Sequence, residues 1–269
     1  MFMKQLKFLM VAFTLMMGVS LTSCMGDSDP TVGGTFVMEV VDPIYCSFKF
    51  ADSDIKYTAV NASKLITDTD LKLNSGDIVQ IAWSYNSEEQ PVTEQTKEIK
   101  VTVAGIQNLS TATASYVLNS TGADDFENAT IKKIGFASDY SNSNNGISYY
   151  DKETILIPVV FLYNSADLTK HHFTLVYDES QEPADDTTLE LYLRYETTDT
   201  EVKADGNIYK AFGIEEALSV FKAKTGKSAP TKIKIWANEG QKADSNSLEN
   251  AKDELQSYEV SYSFKTDDK

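Results

Sequence analysis

Cysteine is nearly missing from this chain: Cys24 and Cys46 are the only two in 269 residues. With Cys24 spoken for by the amino-terminal motif described below, Cys46 has no intramolecular partner, and a disulfide framework is excluded. Stability must then come from hydrophobic burial, which a content of 42% hydrophobic residues supplies. Arginine is scarcer still, with Arg194 alone. Lysine and arginine total 24 against 40 acidic residues, a formal net charge of −16. Nucleic-acid affinity comes mainly from neutralising phosphates, so this balance argues against a nucleic-acid partner. An anionic bilayer would repel the chain for the same reason. Histidine is limited to His171 and His172. Adjacent residues of a strand point to opposite faces, so these two cannot chelate one metal ion and read as structural. Zinc spacing and a G-x-S-x-G nucleophile elbow are both missing. The acidic clusters at Asp68 and Asp70, at Asp124, Asp125 and Glu127, and at Asp185 and Asp186 do not fit a calcium loop. The run from Asn142 to Gly146 has the glycine, but Lys152 stands where the distal glutamate is required. No cofactor and no metal are expected, and no enzyme is assigned.

The longest apolar run lies at the amino terminus. Lys4 and Lys7 precede an apolar stretch over residues 8–19, which closes on Leu21-Thr22-Ser23-Cys24. The stretch is too short to span a bilayer and reads as an export signal over residues 1–23. Its end resembles a bacterial lipobox, which makes Cys24 the lipid-bearing first residue of the mature protein. One acyl chain holds only marginally, at about 0.8 kcal/mol per buried methylene, whereas two or more hold stably. Residues 24–34, with Asp27, Asp29, Pro30, Gly33 and Gly34, read as an acidic flexible tether. Acids directly after the cysteine also resemble the surface-export signal of some Gram-negative lipoproteins. The expected location is the Gram-negative cell envelope, at the outer membrane, with the lipid on Cys24 as the membrane attachment.

Beyond the tether the chain is rich in Val, Ile, Thr, Tyr and Phe, the composition of an all-β protein. Residues 35–112 hold about five short strands. Ile44, Cys46, Phe48 and Phe50 alternate with polar neighbours, as do Val79, Ile81, Trp83 and Tyr85, and then Ile99, Val101 and Val103. Five strands in so short a stretch suit a small closed OB-like barrel, because closure removes exposed edges. Residues 113–269 alternate over longer strands and predict a β-sandwich. Residues 155–163 read as its central strand, with Pro158 implying a bulge or an edge. One short helix interrupts the sandwich: Ile214, Ala217, Leu218 and Phe221 form one stripe, Glu215 and Glu216 begin it, and Lys222, Lys224 and Gly226 end it.

The turn Gly76-Asp77-Ile78-Val79, the strand His172-Phe173-Thr174-Leu175-Val176-Tyr177-Asp178 and the strand Leu189-Glu190-Leu191-Tyr192-Leu193-Arg194-Tyr195 are the residues that carry a family resemblance. Together with the lipobox they resemble the NigD-like lipoproteins across nearly the whole mature chain. That resemblance implies an OB-like amino-terminal domain and a carboxy-terminal sandwich. It also implies a link to a bacteriocin gene cluster, with immunity proposed and no activity established for most members. Where the family pattern has a histidine after the arginine, this sequence has Tyr195, which removes a candidate second-strand ligand.

Cys46 shares the phase of Ile44, Phe48 and Phe50 and reads as a buried inert thiol. Trp83 follows Val79 and Ile81 into the core. Trp236 does not follow its apolar neighbours: Ile233, Ile235 and Ala237 mark one face, leaving Lys232, Lys234 and Trp236 on the other. There it is either a platform for a sugar or a protein, or a ring packed under a loop or the helix. Tyr192 and Arg194 are in the outward phase of their own strand, and with Trp236 they form a candidate binding patch. The leading reading is a non-enzymatic, envelope-anchored module that binds a protein or a glycan. Bacteriocin immunity by family analogy and a glycoside hydrolase with carboxylates on separate loops are the alternatives.

Overall fold

The computed structural model describes residues 30–69, 72–110, 114–117, 125–136, 144–164, 168–199, 202, 204–242 and 244–264. Residues 1–29, which include the expected export signal and Cys24, lie outside the described residues. The fold is all-β, and the chain divides into two compact units between Asn108 and Leu109.

The first unit is a closed barrel of β1 (Thr31–Asp42), β2 (Ser47–Lys49), β3 (Lys56–Ala59), β4 (Ile78–Asn86) and β5 (Glu98–Asn108). Its strand order is β1-β2-β3-β5-β4, with β3 and β5 parallel and the other pairs antiparallel. Met38, Val40, Phe48, Val79, Ile81, Ile99, Val101 and Val103 fill its interior, as their alternation requires. A helix absent from the sequence reading, α1 (Ala62–Thr69), joins β3 to β4 and sends Leu65 into this core.

Two sequence expectations change here. Residues 31–34 are not tether; they are the start of β1, with Thr31 opposite Asn86 and Gly34 opposite Trp83. A Cβ on Gly33 would sit 2.4 Å from the Trp83 carbonyl oxygen, so this glycine serves close strand approach. Ile44 is not a core residue of the second strand. The chain turns at residues 43–46, where the Asp42 carboxylate accepts from the Ile44 and Tyr45 amides at 2.9 and 3.1 Å. Cys46 adopts φ 46°, which resets the phase so that Cys46 and Phe48 point inward while Ile44 is 74% exposed.

The second unit is a sandwich. One sheet has the order β14-β13-β11-β10-β6, built from β6 (Ser115–Val117), β10 (His171–Asp178), β11 (Thr188–Thr197), β13 (Lys232–Ala237) and β14 (Gln256–Ser261). The other has the order β12-β9-β7, from β7 (Lys133–Ile134), β9 (Thr154–Tyr163) and β12 (Ala204–Gly213), with β8 (Ser148–Asp151) also paired to β9. Ile157, Val159 and Phe161 of β9 meet Leu175, Leu191, Leu193 and Ile235 of the facing sheet in one core. Pro158 needs no bulge. On that side of β9, the β8 pairing reaches Leu156 and the β7 pairing begins at Val159, so the residue without an N–H falls between them.

The helix α2 (Glu215–Thr225) is the one read from the sequence. Ile214, Ala217 and Phe221 are buried, and Gly226 at φ 70° closes it by donating its amide to the Lys222 carbonyl at 2.9 Å.

Candidate functional site

The parallel pairing of β11 with β13 places Tyr192 directly opposite Trp236. Arg194 stands two residues further along β11 and therefore on the same face. The three predicted patch residues thus come together on one sheet, but at different depths. Trp236 is half-buried, Tyr192 is buried, and Arg194 is only 2% exposed. Strand phase puts Arg194 on the outward face, yet a segment from outside the sheet covers it. Residues 128–131 lie against the end of β11, with Ala129 bridged to Tyr195, and carry Glu127 over the arginine. The Glu127 carboxylate is 3.6 Å from Arg194 Nε and accepts from Asn238 Nδ2 at 2.6 Å. A charge this enclosed needs such a partner, because desolvation without one costs several kcal/mol.

What reaches the surface is Trp236 and its polar surroundings. Its Nε1 donates to Glu190 Oε1 at 3.2 Å, and the Lys234 ammonium lies 4.0 Å from the ring centroid. Tyr192 donates its hydroxyl to Gln181 Oε1 at 3.2 Å, and burial pushes the phenol pKa up. Val117, Val176, Phe126 and Leu255 complete an apolar floor around the two rings. Glu190 and Gln181 also line an adjoining shallow cleft that is open to solvent. Its other walls are Asp178, Glu182 and Leu189 from the β10–β11 hairpin and Val220, Phe221 and Lys224 from α2. Lys224 fastens the helix to the hairpin by donating to the Glu179 and Gln181 carbonyls. The hairpin is further shaped by Asp185. Hydrogen bonds from the Thr187 hydroxyl and amide and from Thr188 hold its carboxyl down at about 2.

The groups most capable of chemistry are turned inward. His171 is buried while His172, its neighbour, is exposed. His171 Nδ1 lies 2.7 Å from the Tyr195 hydroxyl and 3.1 Å from Thr197 Oγ1, and its Nε2 lies 3.4 Å from Asp199 Oδ2. Asp199 also accepts from Lys170 Nζ at 3.0 Å and from the Asn164 amide at 2.9 Å. A threonine, a histidine and an aspartate in line have the outline of a nucleophilic triad. Here Thr197 and Asp199 are themselves buried, and Tyr195 is fully enclosed between aromatic rings. The arrangement ties the end of β9 to those of β10 and β11. Sequence reading missed it because Asp199 follows the strand pattern as a loop residue.

A second inward carboxylate is Glu239. It accepts from Lys252 Nζ at 2.7 Å, from the Ile134 amide at 3.3 Å and from the Tyr258 hydroxyl, whose pKa burial and this carboxylate together raise. Cys46 is a buried thiol donating to the Pro43 carbonyl at 3.7 Å. Burial, and then the Asp42 carboxylate, push its pKa up, away from the thiolate a nucleophile needs. Trp83 is buried in the barrel, its Nε1 donating to Met38 Sδ at 3.2 Å. Among the acidic clusters, Glu127 is taken by Arg194 and Asp185 by its own hairpin. Asp70, Asp124 and the side chain of Asp68 lie outside the described residues. Among the described residues no three His, Cys, Asp or Glu side chains converge as a metal site.

No protein-family model and no curated protein matches this chain. Solved structures do. A candidate lipoprotein from Bacteroides fragilis superposes with a TM-score of 0.65 at 25% identity, over 87% of this chain and 99% of its own. A candidate toxin-related protein from Parabacteroides distasonis gives 0.48 at 13% identity, over 86% and 93% of the two chains. A NigD-like immunity protein from Bacteroides caccae gives 0.45 at 13% identity, over 83% and 92%. The structural neighbours of this two-unit architecture therefore include both a candidate lipoprotein and a NigD-like immunity protein.

Proposed function

We propose that this protein is a lipid-anchored bacterial envelope lipoprotein that binds a protein or glycan partner without performing catalysis. The anchor reading rests on the lipobox at Cys24 and on the likeness to the B. fragilis candidate lipoprotein over nearly the full length of both chains. No helix among the described residues is long and apolar enough to cross a membrane, so the lipid supplies the attachment in this reading. The binding reading is carried by one observation: Trp236 is held half-buried on the outward face of its sheet, its N–H fixed by Glu190, a residue that also lines the neighbouring cleft. An aromatic ring beside fixed carboxylate and amide groups suits both sugar stacking and protein anchoring. The engagement of His171, Asp199, Glu127 and Glu239 in internal contacts supports a non-catalytic role.

Two measurements test the halves separately. Cys24→Ala should abolish metabolic labelling with a fatty-acid analogue and release the protein from membranes; labelling that persists ends the anchor reading. Trp236→Ala should abolish retention on an array of envelope glycans and surface proteins while the melting temperature falls by no more than a few degrees. Unchanged retention, or collapse of the fold, ends the binding reading at this patch.

A further inference from the structure

Part of the outward face of the five-stranded sheet is roofed by the chain itself. Val117 of β6, Val176 of β10, Tyr192 of β11 and Trp236 of β13 make an apolar floor across four strands, and Phe126 packs onto it. Glu127, the next residue, brings its carboxylate within 3.6 Å of Arg194 Nε and accepts from Asn238 Nδ2 at 2.6 Å. Both side chains of this ion pair are 3% exposed. Two consecutive residues thus fill two adjoining subsites, one aromatic and apolar, the other built for a carboxylate.

The roof is fastened unevenly. From Asn128 onward the backbone ties it down: the Asn128 and Ala129 amides donate to the Tyr195 carbonyl, both at 3.2 Å, the Thr130 amide to the Asn246 carbonyl at 2.7 Å and the Ile131 amide to the Asn238 carbonyl at 3.1 Å. The Asn128 side chain also clasps Thr197, accepting from its amide at 2.8 Å and donating to its carbonyl at 3.1 Å. Residues 125–127 lie ahead of that clamp and meet the sheet through the Phe126 ring and the Glu127 carboxylate. An enclosed ion pair is a poor device for merely holding a segment down, since apolar side chains of similar volume hold as well or better. Its distinctive property is exchangeability. The Arg194 guanidinium needs a carboxylate, and one delivered from another chain restores the pair as well as Glu127 does.

We propose that residues 125–127 are an exchangeable strap, and that the site beneath takes a peptide of a partner protein in which an aromatic residue is followed directly by an acidic one. The strap itself displays the chemistry of the ligand. A partner peptide of this kind brings the same ring to Tyr192 and Trp236 and the same carboxylate to Arg194 and Asn238. A sugar acid offers the carboxylate without the ring; the peptide offers both, at the spacing the chain already uses. The inference rests on the binding reading at Trp236 and names the ligand for it. Trp236 belongs to the floor under Phe126, so a bound peptide continues onto the indole and the Lys234 ammonium beside it.

The probe is a fluorescein-labelled peptide with the sequence of residues 124–130, DDFENAT, titrated by anisotropy into the detergent-solubilised full chain. The strap competes from within the same molecule, so Phe126→Ser, which keeps the Glu127–Arg194 pair, should bind the peptide about tenfold more tightly than the unaltered chain. A peptide with glutamine in place of its glutamate should lose about tenfold on that same variant. On the unaltered chain, excess peptide should speed amide hydrogen exchange at residues 125–127 and leave 128–131 protected, a readout that decides the matter even if Phe126→Ser does not fold. Equal affinity for the two chains, no saturable binding to folded Phe126→Ser, indifference to the peptide's glutamate, or exchange unaltered by the peptide each overturns the proposal. Displacement of the peptide by a uronic-acid oligosaccharide more readily than by unlabelled peptide also overturns it, in favour of a glycan. Loss of array retention in Trp236→Ala would stand in all these cases, so failure of the strap and failure of the Trp236 reading are told apart.

Discussion

Among the described residues, the barrel encloses one polar side chain, Ser47, in an otherwise apolar interior running from Met38 to Val103. The sandwich encloses His171, Asp199, Arg194 and Glu239, and with them the side chain of Glu127. The contrast follows from how each unit finishes its sheets. A closed barrel pairs every strand with two neighbours, so the ladder satisfies most of its backbone groups, and two neutral amides, Asn61 on Val103 and Gln90 on Lys100, complete β5. In the sandwich, ladders stop short. The β11–β13 pairing ends at Leu193 and Ala237, and residues 128–131 fill the gap beyond, with Ala129 bridged to Tyr195 and Ile131 to Glu239. The buried charges cluster around such endings: Glu127 and Arg194 at this gap, with Asn238 donating to Glu127, Glu239 beside it on the Ile134 amide, and Asp199 on the Asn164 amide just past β9. Charged side chains complete the ladders there, where neutral amides suffice in the barrel.

The largest effects should come from breaking one member of each pattern. Arg194→Leu leaves the Glu127 carboxylate enclosed without its guanidinium and should cost about 3–5 kcal/mol, read as an earlier urea transition of the sandwich. Arg194→Leu combined with Glu127→Leu should recover part of that loss. A failure to recover would mean the pair is not what the charges are there for. The barrel counterpart is Met38→Ala, which removes a fully buried side chain and the acceptor of the Trp83 indole. It should cost about 2–5 kcal/mol and red-shift the Trp83 emission, while leaving the sandwich transition in place.

Alkali should sharpen the comparison at smaller amplitude. Burial pushes Tyr57 in the barrel and Tyr262 in the sandwich up to about 12, and it also raises Tyr149, Tyr195 and Tyr258. A phenol whose folded pKa is raised contributes stability that is intact below the unfolded value near 10 and is lost as pH rises through the folded value. Urea midpoints should therefore fall between pH 10 and 12, more steeply for the sandwich, which holds four of these five phenols. Equal slopes for the two transitions would contradict the assignment. The smallest effect is Gly226→Ala. Nothing lies within 4 Å of the added Cβ, so only the left-handed backbone resists it, at about 1 kcal/mol in thermal unfolding.

Legibility from the sequence followed local phase. The α2 stripe from Ile214 to Phe221, its charged turns and its Gly226 stop are all contained within one segment, and so could be read. The same was true of the alternation in β4, β11 and β13. α1 escaped because its apolar stripe, Ala62, Leu65 and Ile66, covers little more than one turn of an eight-residue helix. Ile44 was misplaced because a single left-handed residue, Cys46, resets strand phase without altering composition. Arg194 was correctly set on the outward face of its strand, but nothing in β11 announces the distant segment that roofs it. Contacts made by residues far apart in the chain, such as Glu127 with Arg194 and His171 with Asp199, leave no periodic trace.

The five-stranded sheet runs β6, β10, β11, β13, β14 from one edge to the other, which is also the order in which those strands leave the ribosome. Each new strand finds its docking edge already present, and no earlier strand has to be prised apart to admit a later one. β6 and β10 are parallel, as are β11 and β13, so this growth pauses twice, while the crossover through β7, β8 and β9 and then the one through β12 and α2 are completed. β14 then arrives last and antiparallel on β13. A chain halted just before Gln256 would therefore expose β13, with Ile233 and Ile235 on its inner face, as an open edge suited to pairing with another unfinished chain.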